Sequence, residues 1–165
     1  MIASLLVALA VAPWSHPLGF AHVAGWTSGR SGTTQSVYAG PNKWAAASLE
    51  SAAWIAKDVR YRDDPTADPP NETLRHISRQ AEIVWAVVYS AQAGPKPIRL
   101  SLGAAKRFAC CDAVGLPGGE YELTGSGPGR AYSVIVRIYF GERPTSAMRA
   151  QVQQALNALR LPSPR

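Results

Sequence analysis

Cys110 and Cys111 are adjacent, and they are the two cysteines of the chain. Their Cα atoms stand about 3.8 Å apart across a trans peptide, whereas ordinary disulfides want about 4.4–6.8 Å. A bond between them strains the backbone and is easily reduced, which suits a redox switch or a rigid apolar patch. Free thiols and pairing with another chain stay open beside it. The spacing argues against zinc, whose chelating cysteines are usually separated by about two to four residues.

Histidine limits acid–base chemistry. His16, His22 and His76 are the three in the chain. Removal of an N-terminal leader deletes His16 and leaves His22 at the new terminus, so His76 is the one interior candidate. Its natural pKa range is useful for catalysis. No serine sits in a supporting motif, because Gly29-Arg30-Ser31-Gly32-Thr33 lacks the glycine that a nucleophile elbow places two residues after the serine. A triad is therefore not supported.

Asp63, Asp64 and Asp68, with Asn71 and Glu72, form an oxygen-rich run that offers calcium-type ligands. The spacing fits no EF-hand, and the interleaved prolines already explain a solvated turn. Asp58, Glu82, Glu120 and Glu122 supply carboxylates for a glycosidase-like pair, whose separation a sequence does not give. Gly125, Gly127 and Gly129 precede a strand and are not followed by Lys-Ser/Thr, so they mark a hairpin turn and not a phosphate loop. No cofactor is implied. Among the aromatics, Trp85 belongs to a core strand. Trp26 and Trp44 fall outside the strong strands, which makes them, with Cys110 and Cys111, the binding candidates.

These residues need a scaffold, and the chain's length of 165 residues is that of one domain. Arg130–Leu161 dominates it. Tyr132, Val134, Val136, Ile138 and Phe140 alternate along one strand face. Thr145 or Ser146 then caps a helix whose apolar stripe is Met148, Val152, Ala155, Leu156 and Leu159. Glu82–Ala91 is apolar on both faces, as a central strand should be. Ile98, Leu100 and Leu102 alternate as a half-buried strand, and a short strand is expected near Ser36–Tyr38. Glu120–Thr124 pairs with the closing strand through Gly125–Gly129. Propensity predicts a helix over Ala45–Ala53, followed by a strand near 52–61. Asp63–Asn71 is a loop, and Glu72–Arg79 a short helix that buries Leu74 and Ile77. The expected fold is α+β: an antiparallel sheet of about five strands with the C-terminal helix packed on one face.

The net charge is +6. The cations are dispersed as pairs, Arg60 with Arg62 and Lys106 with Arg107, without the basic footprint that nucleic acid requires. Arginine outnumbers lysine 13 to 4, and with abundant Ala, Gly and Pro this is the composition of a high-GC bacterial genome. No charged side chain precedes Arg30, and Ile2–Ala12 is a short apolar run. It has about half the length of a membrane span, and it matches the apolar core of an export signal. Small residues at Gly19 and Ala21 predict a leader of residues 1–21, extending to 24 if cut after Ala24, and a single domain over 25–162.

The export signal, GWTSGR at Gly25–Arg30, PPNETL at Pro69–Leu74 and YFGERPTSAMRAQVQQALNALRLP at Tyr139–Pro162 together resemble exported proteins of high-GC Gram-positive bacteria. The closing strand and helix also resemble the end of PsbP/Mog1-like sandwiches, a likeness that implies architecture and no activity. Three functions are compatible with the sequence. The first is a secreted, non-catalytic domain that binds an extracytoplasmic protein, a wall component or a small ligand. The second is a membrane-tethered accessory protein with an uncleaved N-terminus. The third is an exported hydrolase or thiol-redox enzyme using His76 or Cys110 and Cys111.

Overall fold

A computed structural model describes residues 16–30, 34–39, 45–59, 74, 77–90, 96–108 and 116–163. Its strands are β1 (Gly19–Phe20), β2 (Thr27–Arg30), β3 (Thr34–Ala39), β4 (Ala45–Lys57), β5 (Glu82–Tyr89), β6 (Lys106–Phe108), β7 (Glu120–Ser126), β8 (Ser133–Phe140) and β9 (Leu159–Arg160). Helix α1 spans Ser146–Ala158. The fold is α+β, an antiparallel sheet with the C-terminal helix packed on one face. The main sheet runs β2–β4–β5–β8–β7–β6, with β3 also on β4. β1 and β9 form a separate two-stranded ladder.

β8 is the strand the alternation predicts. Tyr132 leads into it, and Val134, Val136, Ile138 and Phe140 within it are, like Tyr132, fully buried. They meet Met148, Val152, Ala155 and Leu156 of α1 in the core of the helix face. Thr145 caps the helix by accepting from the Met148 amide at 3.2 Å. β5 lies between β4 and β8. It is buried on both faces, so a second core forms on the far side of the sheet from Trp54, Ile83, Trp85, Val87 and Tyr139. Leu74 is buried in that second core and Ile77 packs against it.

Three segments depart from the sequence expectation. Ala45–Ala53 is strand and not helix. Its first half pairs with β3 and the rest pairs with β5. Ladder partners on neighbouring strands override the helix preference of alanine, which is a weak local term. Strand β4 also ends at Lys57, short of 61, where Asp58 turns into the left-handed region at φ 57°.

The Ile98–Leu102 alternation does not form a strand either. Pro97 makes an isolated parallel bridge to Ser126, and Leu102–Ala104 is a 3-10 turn. The side-chain amide of Gln153 on α1 takes the ladder's place. Its Oε1 accepts from the Leu102 amide at 2.9 Å, and its Nε2 donates to the Leu100 carbonyl at 3.1 Å. The edge strand is instead β6, which pairs with β7.

Candidate functional site

Residues directly opposite one another in an antiparallel pair project from the same face. Following the registers across the sheet, Gly29 faces Trp54, Trp54 faces Trp85, and Trp85 faces Arg137. Arg137 faces Glu122, and Glu122 faces Lys106. One row of side chains thus crosses six strands on the side opposite α1. Trp54 and Trp85 are buried, while the Arg137 and Glu122 side chains keep 24% and 21% of their surface exposed.

Arg137 is held on three sides. Its guanidinium carbon lies 4.8 Å from the Phe108 ring centroid and 5.7 Å from that of Trp85. Its Nε donates to Glu122 Oε2 at 3.4 Å. A planar, permanently charged guanidinium stacks well on aromatic faces. The ion pair alone contributes little at this exposure, on the order of 0.2–1 kcal/mol. Its main effect is to orient the cation. The indole Nε1 of Trp85 beside it is buried with no hydrogen-bond partner among the described residues. The arrangement presents a fixed, part-exposed cation on an aromatic bed, and a cation so placed can pair with an anionic group.

A second polar group lies on the helix face. Glu82 is fully buried, and neither carboxyl oxygen has a hydrogen-bond partner among the described residues. It stands opposite Lys57, whose Nζ reaches over to Gln151 Oε1 of α1 at 2.8 Å. Burial pushes the Glu82 carboxyl up to about 7; the Lys57 charge pulls it down and Asp58 pushes it up again. A pKa near neutrality suits proton transfer, but a carboxyl with no exposed surface reaches no substrate. Its role is structural.

Of the binding candidates in the sequence, Trp26 is partly buried and packs against the helix-face core. Trp44, Cys110 and Cys111 lie outside the described residues, as do His76 and the acidic residues Asp63, Asp64 and Asp68. Among the described residues no group of three or more His, Cys, Asp or Glu is placed to hold a metal ion. No described helix is long and apolar enough to cross a membrane. Phe108, Glu122 and Arg137 were not singled out together by sequence, because only the register of three strands brings them into one place. The signal available was the placement of Glu122 and Arg137 on strands that were expected to form a hairpin.

Comparison with protein-family models, with curated proteins and with solved structures finds no match for this chain.

Proposed function

We propose that the chain is an exported, non-catalytic α+β domain that binds an extracytoplasmic partner through the Arg137 stripe. The observation that carries this reading is Arg137 itself: a part-exposed guanidinium fixed between Phe108, Trp85 and Glu122. Such a group supplies charge and stacking to a ligand, and the carboxylate beside it, Glu122, is engaged with the guanidinium. Among a protein, a wall component and a small ligand, a wall glycopeptide matches best. It offers carboxylates to the part-exposed guanidinium and sugar rings to the partly buried Phe108 beside it.

Titration of the purified protein with soluble wall glycopeptide fragments, followed by tryptophan fluorescence, tests this. A saturable change is expected, because Trp54 and Trp85 lie in the same row. Arg137→Ala should weaken binding at least about tenfold, the equivalent of one charge-assisted contact, with the fold intact by circular dichroism. Equal binding by the two proteins, or no response of the unaltered one, contradicts the proposal.

A further inference from the structure

The chain from His16 to Ala21 is built into the domain. Leu18 is fully buried in the helix-face core, and Phe20 packs against the same core. Gly19 and Phe20 pair with Arg160 and Leu159. The Ala21 amide donates to the Ala158 carbonyl at 2.8 Å, and His16 Nε2 lies 2.8 Å from the Leu161 carbonyl. Ala158 is the last residue of α1, and the final carbonyls of a helix have no partner within it. β1 therefore closes the C-terminal end of the helix, and it packs on β2 and β4 as well. Cleavage after Ala21 or Ala24 removes Leu18 from the core, takes the partner from β9 and leaves the Ala158 carbonyl without its donor.

We infer that His16–Ala21 stay in the mature protein as a structural segment around β1, so that any removal of a leader takes place upstream of His16. The inference rests on the export reading only for the existence of a leader. Hydrolysis of a peptide bond upstream of His16 consumes one water, leaving a carboxylate on the leader and a free amino group on the mature chain. The apolar run supplies the leader, while the strand that follows belongs to the fold.

The test is the intact mass and N-terminal sequence of the protein recovered from an exporting bacterial host expressing the full chain. A first residue at or upstream of His16 upholds the inference. A first residue at His22 or Gly25 overturns it. An uncut product retained in the cell keeps the strand, and so upholds the structural assignment while ending the export reading. Leu18→Ala in the same full chain supplies an independent readout. The buried position predicts a melting temperature lower by about 5–15 °C, and an unchanged melting temperature overturns the structural role.

Discussion

Gly29 lies directly opposite Trp54, and the indole occupies the space that any side chain on Gly29 needs. A Cβ at Gly29 stands 2.7 Å from both Cε2 and Cζ2 of the ring. The aromatic row on the far face of the sheet therefore begins with a missing side chain. Gly29→Ala must push the Trp54 ring off its seat, and overpacking of this kind costs about 1–3 kcal/mol. Urea unfolding should show the loss, together with a red-shifted tryptophan emission. An unchanged midpoint and spectrum contradict this packing.

Glu82 makes stability depend on pH with an unusual sign. Its carboxyl ionises near 4.5 when unfolded and near 7 in the folded protein. Between those values the folded state holds a proton that the unfolded state has released, so stability falls as pH rises through this window. The charges facing it are those of Lys57 at the end of β4 and of Asp58 just after it. Phe140 on β8 is neutral, and α1 contributes the neutral Gln151 through Lys57. Glu82→Gln removes the titration. Its stability relative to the unaltered protein should improve by about 2–3 kcal/mol between pH 5 and pH 8, measured by urea unfolding at each pH. A difference that does not change with pH contradicts the assignment.

Gln153 fastens the 98–104 segment to α1 with both ends of one amide. Gln153→Ala leaves the Leu102 amide and the Leu100 carbonyl without that partner, at a cost of about 1–2 kcal/mol for part-buried groups. Gln153→Glu keeps the acceptor for Leu102 but loses the donor to Leu100, so it should fall between the two. Hydrogen exchange at the Leu102 amide reads the same contact, and should quicken in the alanine variant. Exchange that stays slow shows that Gln153 does not hold this segment.

The parts of the fold that a sequence reveals are those whose burial repeats with the local period. Val134 to Phe140 alternate, and Met148 to Leu156 recur at helical spacing, so β8 and α1 are readable without partners. Ala45–Ala53 misleads because its composition favours helix while its pairing is decided by β3 and β5, distant or undetermined in a local window. Ile98–Leu102 has the right alternation but no second strand. The Arg137 site is the least legible. Trp54, Trp85, Glu122 and Arg137 come together through three registers at once, and a slip of one residue in any strand sends its member to the opposite face. Likewise Leu18 reads as part of a leader of residues 1–21, and its burial follows from the pairing of Gly19 and Phe20 with Arg160 and Leu159.

The central claim is that the Arg137 stripe binds the ligand, and a two-dimensional 1H–15N spectrum tests it most directly. On addition of soluble wall glycopeptide fragments, the Arg137 Nε and the Trp85 and Trp54 indole resonances should shift together and saturate together. In Arg137→Ala the two indole resonances should stay in place at the same concentrations. Shifts confined to residues remote from this row, or indole shifts that persist in the variant, contradict the account.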